Sequence, residues 1–158
     1  MSVWTQSKEN IWVAAHRGFS EKYPENTMEA FRAAVALGVD QIETDVRITA
    51  DGELVLHHDA AVDRTTDGTG LVKDYTLAQL KQLDAGIKKG EEFAGCRIPT
   101  FVEFMDYMKT LPHMTVDIEL KEYTHVDEAT AYEVGNPKWR LKHFGNQSPN
   151  PHWSVMLV

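Results

Sequence analysis

The fold is decided by residues 39–46, VDQIETDV, an apolar-rich run that ends in acidic side chains. A second apolar run lies upstream at residues 11–15 and is followed by a histidine and an arginine. Between the two runs, residues 27–37 carry apolar side chains at helical spacing, and Gly38 is typical of a helix end. A strand, a helix and a second strand in this order predict two parallel strands joined by a right-handed crossover. The sequence therefore predicts an α/β fold.

Three features near these elements have local structural interpretations. Asn26 and Glu29 are spaced as the N-cap and third residue of a capping box, so Asn26 is interpreted as the cap of the first helix. Glu25 is an acidic side chain that the positive end of the helix dipole favours. Residues 64–70, RTTDGTG, have the composition of a turn.

The dipeptide Asp51-Gly52 separates two apolar-rich runs and is typical of a two-residue hairpin turn. In the register that this turn would set, Asp45 lies opposite His58 and both side chains emerge on one face. His57 then points to the other face. The hairpin therefore selects His58 over His57 as the imidazole beside the carboxylates.

The remaining chain predicts further elements of the same fold. Residues 60–95 are polar and contain glycine, with one helix expected around residues 77–83. A helix is predicted at residues 99–108 and a strand at residues 115–121. Alternation along that strand places these polar side chains on one face: Asp117, Glu119 and Lys121.

The composition of the 158 residues, with 42% hydrophobic and 25% charged, is that of one ordinary globular domain. A net charge of −8 opposes unaided attraction to nucleic acid or an anionic membrane, so any phosphate binding must be local. The single cysteine, Cys96, excludes an intrachain disulfide and a cysteine-based zinc cluster. No run approaches the ~20 apolar residues of a membrane span, and the N-terminus lacks the apolar run of a secretory signal. A cytoplasmic location is therefore expected.

The polar residues predicted at strand ends are His16, Arg17, Glu43, Asp45, His58, Glu119 and Lys121. The three carboxylates offer oxygen ligands without a thiolate, which suit a hard divalent cation, Mg²⁺ or Ca²⁺. The arginine and lysine are cations that clamp a phosphate, and the histidines suit acid–base chemistry near neutral pH. A solvated surface position is the simpler interpretation for any one of them. Together they predict a functional site, because sites of parallel α/β folds gather at the C-terminal ends of strands.

The same residues lie in a series of motifs that resembles the glycerophosphodiester phosphodiesterase family. In chain order, the motifs are AHRG at 15–18, PENT at 24–27, IETDV at 42–46, DG at 51–52, HD at 58–59, RTT at 64–66, GTG at 68–70, IPT at 98–100 and IELK at 118–121. The resemblance implies a TIM-type (β/α)8 barrel of the PLC-like phosphodiesterase type. Residues 1–134 would form its N-terminal part, with residues 60–95 as an insertion characteristic of the family. Residues 135–158 are predicted to form an irregular tail that does not match the family.

The resemblance also implies a role for each site residue. His16 and His58 match the family's acid–base pair, Glu43, Asp45 and Glu119 its metal ligands, and Arg17 and Lys121 its phosphate-binding cations. It implies a small-molecule glycerophosphodiester substrate whose phosphate the metal polarises. A substrate hydroxyl would form a cyclic phosphate as the alcohol leaves, and hydrolysis would give glycerol 3-phosphate. A related lipid phosphodiesterase that uses the same site residues is an alternative.

The length of the chain sets a further expectation. A (β/α)8 barrel takes about 250 residues, whereas this chain has 158. The strands expected at residues 11–15, 39–46 and 115–121 are the first three of the eight that the resemblance implies. We therefore expect a barrel truncated after about three strands, whose open edge favours self-association or a second chain that completes it. An inactive or partner-dependent fragment is the alternative function.

Overall fold

Residues 12–111 and 113–121, with the backbone of residues 153–157, are described by a computed structural model of the chain. The strands are β1 (Ala14–His16), β2 (Gln41–Ile48), β3 (Leu54–Leu56), β4 (Thr115–Leu120) and β5 (Trp153–Leu157). The α-helices are α1 (Met28–Leu37), α2 (Leu77–Leu80) and α3 (Phe101–Met108), and short 3₁₀ helices span Val72–Asp74 and Glu91–Phe93. None of these helices is long and apolar enough to cross a membrane.

The described strands form one sheet in the order β1-β2-β4-β5, with all of these pairs parallel. Strand β3 lies off this path and pairs antiparallel with β2. The predicted parallel pairing of the first two strands is confirmed. In the register, His16 aligns with Glu43, and Asp45 aligns with Glu119. The polar ends of three parallel strands therefore meet at one edge of the sheet.

The main core joins the sheet to helices α1 and α3. Phe31 of α1 and Phe104 of α3 are fully buried, and their ring centroids lie 4.7 Å apart. Strand β4 alternates as predicted, so Val116 and Ile118 are buried in the same core while Glu119 is only half-buried. Burying a side chain of this size contributes about 2–3 kcal/mol. Both helices are thus fixed on the apolar face, and the strand ends carry the polar residues.

Residues 60–95 pack around a second, smaller core. Its buried apolar side chains cluster with Val55 of β3: Val62, Val72, Leu80, Ala85 and Ile98. Helix α2 is shorter than the helix predicted at residues 77–83, and it begins at a capping box formed by Thr76 and Gln79. Lys89 Nζ donates to the carbonyl oxygens of Ser20 and Glu21, both at 2.8 Å. The segment is therefore tied to the loop that follows β1.

Helix α1 begins one residue later than the sequence predicts. Its N-cap is Thr27, whose hydroxyl accepts a hydrogen bond from Ala30 N at 3.3 Å. The interpretation of Asn26 as the cap is therefore wrong. Asn26 has a φ of 53°, in the left-handed region, and its side chain turns towards β2. The predicted helix end at Gly38 is confirmed, with a φ of 77°.

The loop between β2 and β3 is longer than the predicted two-residue turn. Ile48 pairs with Leu54, so residues 49–53 connect the strands. The Asp51 carboxylate accepts hydrogen bonds from Thr49 Oγ1 at 2.5 Å and from Leu77 N at 2.9 Å. These two contacts, one of them to the distant helix α2, hold the loop in its wider form.

This loop shifts the strand pairing by one residue. The residue opposite Asp45 is His57, whose N donates a hydrogen bond to Asp45 O at 3.0 Å. The predicted register is wrong, and the argument that selected His58 from it fails as well. Strand β3 ends at Leu56, so alternation along the strand does not determine where either histidine points.

Residues 153–157 lie within the predicted irregular tail, yet they form strand β5. Val116 pairs with Trp153 and Leu120 with Leu157, which satisfies backbone groups along the edge of β4. A fourth parallel strand thus joins the three that were predicted. The rest of the predicted tail lies outside the described residues.

Candidate functional site

Three carboxylates meet where the parallel strands end. Glu43 and Asp45 lie on β2 and Glu119 lies on β4, and one oxygen of each lies within 4.8 Å of the others. Asp45 is fully buried, and Glu43 is 9% exposed. The register accounts for the cluster, because Asp45 and Glu119 are aligned partners on neighbouring strands. The structure thus brings together the three residues predicted as metal ligands.

Asp45 is held in place by Asn26. The Asn26 Nδ2 donates to Asp45 Oδ2 at 2.8 Å, and Asn26 Oδ1 accepts a hydrogen bond from Thr44 Oγ1 at 2.8 Å. Asn26 is itself 3% exposed. Because its carbonyl oxygen is engaged by β2, its amide group can only face the carboxylate as a donor. The asparagine therefore fixes the orientation of Asp45.

Glu43 is held by the backbone of the loop after β1. Arg17 N donates to Glu43 Oε2 at 2.9 Å, and Arg17 adopts a φ of 58°, uncommon for a residue with a side chain. His16 Nε2 lies 3.9 Å from the same oxygen. Burial and the neighbouring charge of Asp45 raise the pKa of Glu43 to about 7. Crowded carboxylates of this kind are stabilised by a nearby positive charge.

The cluster fits a hard divalent cation. Asp45 Oδ1 is buried and receives no hydrogen bond from the described residues. Lys121 Nζ forms an ion pair with this oxygen at 3.1 Å and also contacts Glu119 Oε1. A bound divalent cation would further offset the crowded negative charge of the three carboxylates. Glu43, Asp45 and Glu119 are the residues that could hold it.

The two predicted phosphate-binding cations reach the same carboxylates. Arg17 Nε lies 3.3 Å from Asp45 Oδ2, and Arg17 Nη1 donates to Glu25 Oε1 at 3.1 Å. The side chains of Arg17 and Lys121 are only 16% and 14% exposed. Their positive charges are therefore fixed beside the strand ends, where an incoming anion would meet both.

The two neighbouring histidines have different environments. His57 is 5% exposed, and its ring nitrogens lie 2.9 Å from Asp59 O and 3.0 Å from Thr65 Oγ1. Burial lowers the pKa of His57. The side chain of His58 is 30% exposed, and its Nδ1 lies 2.6 Å from Asp59 Oδ1, which leaves Nε2 for proton exchange. His58 is thus the better acid–base candidate, on burial and hydrogen bonding rather than on register.

The predicted histidines stand at different distances from the carboxylates. The His16 side chain is 65% exposed and approaches Glu43. His58 stands apart, since among the described residues its ring contacts Asp59 and none of the three clustered carboxylates. The structure therefore brings the predicted ligands and cations together at the strand ends. His58 is linked to them through other side chains.

Sequence reasoning missed Asn26, Glu25 and Arg64, which support the site. Asn26 bonds Asp45 across 19 residues of sequence, and Arg64 bonds Glu25 across 39. Glu25 in turn pairs with Arg17. A cap, a helix dipole and a turn explained these residues locally, and none of these three interpretations pointed to distant partners. The available signal was their place in the PENT and RTT motifs, which accompany the site motifs.

Comparison with known proteins places this geometry in a family. The model of the glycerophosphoryl diester phosphodiesterase family matches residues 16–143. The chain belongs to this family. The match extends past residue 134, the predicted boundary of the family's pattern.

Relatives and solved structures carry the same family name. A glycerophosphodiester phosphodiesterase from Caldanaerobacter subterraneus subsp. tengcongensis is 55% identical over 109 residues, covering 69% of this chain and 44% of the relative. One from Bacillus altitudinis is 45% identical over 126 residues, covering 77% of this chain and 51% of the relative. The chain spans about half the length of the curated relatives it matches.

Solved structures of the family superpose on this chain. The crystal structure of a glycerophosphodiester phosphodiesterase from Agrobacterium tumefaciens has a TM-score of 0.77 and 31% identity, over 93% of this chain and 58% of that one. A phosphodiesterase from Oleispira antarctica, in complex with the product sn-glycerol-3-phosphate, has a TM-score of 0.71 and 33% identity, over 93% and 56%. The predicted TIM-type fold is confirmed, and the parallel strands described above are part of such a barrel.

Proposed function

We propose that the protein acts as a metal-dependent phosphodiesterase that hydrolyses glycerophosphodiesters to glycerol 3-phosphate and an alcohol. The observation that carries the proposal is the convergence of Glu43, Asp45 and Glu119 at the strand ends of a member of this family. Two curated relatives are named for this activity, and one structural neighbour holds the product sn-glycerol-3-phosphate.

Glu43, Asp45 and Glu119 are proposed as ligands of Mg²⁺ or Ca²⁺, which prefer oxygen donors. A bound cation would polarise the phosphate and stabilise the charge that develops on it. The buried Asp45 Oδ1 without a hydrogen-bond donor and the raised pKa of Glu43 both support this assignment.

The remaining residues are proposed to bind the phosphate and move protons. Arg17 and Lys121 hold phosphate oxygens by charge-assisted hydrogen bonds. One of His16 and His58 removes the proton of a neighbouring substrate hydroxyl, and the other protonates the departing alcohol. The hydroxyl oxygen bonds to phosphorus as the bond to the alcohol breaks, and water then opens the cyclic phosphate. Positioning of this kind supplies most of what phosphoryl transfer requires from a protein.

The experiment is an assay of glycerol 3-phosphate released from glycerophosphocholine with Mg²⁺ or Ca²⁺. His16→Gln and His58→Gln are each expected to lower kcat about 10²–10⁴-fold. Asp45→Asn should abolish both turnover and cation binding, the latter to be measured by calorimetry. The matched control is His113→Gln, which replaces an exposed histidine and should retain full activity.

Turnover that survives both EDTA and the His16→Gln substitution would contradict the proposal. A lysophospholipid assayed beside glycerophosphocholine separates the related lipid phosphodiesterase activity, which would show preference for the lipid. Cytoplasmic location stays a prediction, supported by the single Cys96, which fits a reducing compartment. Cell fractionation checks it.

A further inference from the structure

The side chain of Arg64 joins two carboxylates from different loops. Its Nε and Nη2 donate to Asp59 Oδ2 and Oδ1 at 2.6 and 3.2 Å. Its Nη1 and Nη2 donate to Glu25 Oε2 and Oε1 at 2.8 and 2.6 Å. Asp59 follows β3, whereas Glu25 lies in the loop between β1 and α1. One planar guanidinium therefore fixes both carboxylates relative to each other, because each is held at two points.

Each of these carboxylates also contacts a residue of the proposed active site. Asp59 Oδ1 lies 2.6 Å from His58 Nδ1, and Glu25 Oε1 accepts a hydrogen bond from Arg17 Nη1 at 3.1 Å. A continuous path thus runs from His58 through Asp59, Arg64 and Glu25 to Arg17. The path connects the histidine that stands apart from the metal ligands to the cation beside them.

The two carboxyl groups on the path, Asp59 and Glu25, stay ionised near neutral pH. Arg64 lowers the pKa of Asp59 through its hydrogen bonds. Burial acts to raise the pKa of Glu25, but the hydrogen bonds and charges of Arg64 and Arg17 outweigh it and lower the pKa overall. Both carboxylates therefore remain anionic acceptors, and each keeps a positive partner on Arg64.

We propose that Arg64 is a positioning residue that orients His58 through Asp59 and Arg17 through Glu25. Its role in the reaction rests on the proposed function. An anionic Asp59 held against Nδ1 keeps the proton of a neutral His58 on that nitrogen. Nε2 is then unprotonated and oriented for proton exchange with a substrate. Without Arg64, Asp59 and Glu25 lose their common donor and can rotate away from their partners.

If Arg64 only stabilised the fold, its loss would lower the melting temperature and leave the tautomer of His58 unchanged. The positioning role predicts the opposite. The Arg64 side chain is 49% exposed, and exposed ion pairs contribute little to folding stability. Loss of the guanidinium should therefore change the melting temperature slightly and the tautomer of His58 strongly. Arg97 provides the matched control, since it is an exposed arginine near the same segment whose Nη1 bonds only backbone carbonyl oxygens among the described residues.

The deciding experiment uses ¹⁵N NMR of the imidazole nitrogens at a pH where His58 is neutral. In the wild type, we expect the proton of His58 on Nδ1. Arg64→Ala should shift the population towards the Nε2–H tautomer, and Arg97→Ala should leave it unchanged. Arg64→Lys, which keeps the charge but cannot hold both carboxylates at two points, should fall between them and serves if Arg64→Ala does not fold. An unaltered tautomer in a folded Arg64 variant would overturn the proposal.

Kinetics of the same variants test the consequence for the reaction. Arg64→Ala should lower kcat about a hundredfold, the cost of misplacing a catalytic group, with KM little changed. Added guanidinium ion should restore part of the lost kcat in Arg64→Ala but not in Asp59→Asn, which keeps Arg64 and has lost the carboxylate charge instead. Equal effects in the Arg97 control would overturn the proposal. If the wild type shows no turnover, the proposed function fails, and the tautomer measurement still decides the role of Arg64.

Discussion

At the residue scale, the site is built from carboxylates that the backbone and one amide side chain hold in fixed orientations. Asp45 is oriented by Asn26 Nδ2, and Glu43 by the backbone N–H of Arg17. Both of these supporting residues have a left-handed backbone, with φ values of 53° and 58°. Such conformations cost free energy and persist where the surrounding contacts require them.

Replacing Asn26 with alanine is expected to weaken Mg²⁺ or Ca²⁺ binding about tenfold to hundredfold, the usual effect of losing a hydrogen bond that orients a ligand. The free energy of unfolding should also fall by about 1–3 kcal/mol, because Asp45 Oδ2 loses a buried donor. Calorimetry measures the affinity, and urea unfolding measures the stability. The exposed amide variant Gln82→Ala is the matched control and should alter neither. Unchanged affinity in Asn26→Ala would refute its supporting role.

Buried His57 is expected to make the fold sensitive to acid. Burial lowers the pKa of His57 in the native state. As the pH falls below about 6.5, the imidazole therefore binds a proton in the unfolded chain but stays neutral in the native chain. This contribution to stability is complete above that pH and is lost below it, by up to about 1.4 kcal/mol per pH unit. Urea unfolding at pH 7 and pH 5 should therefore show a smaller loss in His57→Gln than in the wild type. His113→Gln should lose as much as the wild type, and a similar loss in His57→Gln would disprove the assignment.

At the element scale, the polar strand ends depend on how α1 begins. Thr27 caps the helix through Ala30 N and also donates to Pro24 O at 2.7 Å, so the cap anchors the loop that contains Asn26. Thr27 therefore stabilises the start of the helix, whereas the adjacent Asn26 orients Asp45.

Thr27→Ala is expected to lower the free energy of unfolding by about 1 kcal/mol, the usual cost of losing a threonine cap. The affinity for Mg²⁺ or Ca²⁺ should change less than in Asn26→Ala, since Thr27 does not contact Asp45. Urea unfolding and calorimetry on both variants test the contrast, with the exposed Thr69→Ala as control. If Thr27→Ala weakened the cation as much as Asn26→Ala, the two roles would not be separate.

The element order and the convergence of carboxylates at the strand ends were predictable because they follow from local patterns. Alternation along β4 and the acidic end of β2 depend only on neighbouring residues, and parallel pairing then brings Asp45 beside Glu119. The hairpin register was not predictable, because the contact between Asp51 and Leu77 N that widens the loop spans 26 residues. The roles of Asn26 and Arg64 were hidden for the same reason, since each depends on a distant partner.

At the scale of the whole molecule, the described strands form an open sheet. Strand β1 pairs only with β2 and β5 only with β4 among the described residues. Unpaired strand edges and uncovered apolar faces favour association with another chain. Association therefore remains a prediction for this chain as it stands.

We expect light scattering to report a mass above that of one chain, increasing with concentration. A mass of one chain at every concentration, together with a sharp two-state unfolding transition, would rule out this prediction.

Arg17 acts through its backbone and its side chain separately, and its left-handed backbone is one that glycine also adopts. Its amide orients Glu43 while its guanidinium approaches Asp45. Glycine adopts a φ near 58° without strain, so Arg17→Gly would delete the charge and spare the amide contact. Under the roles proposed above, this one substitution would remove anion binding and leave the proposed cation ligands in their orientation.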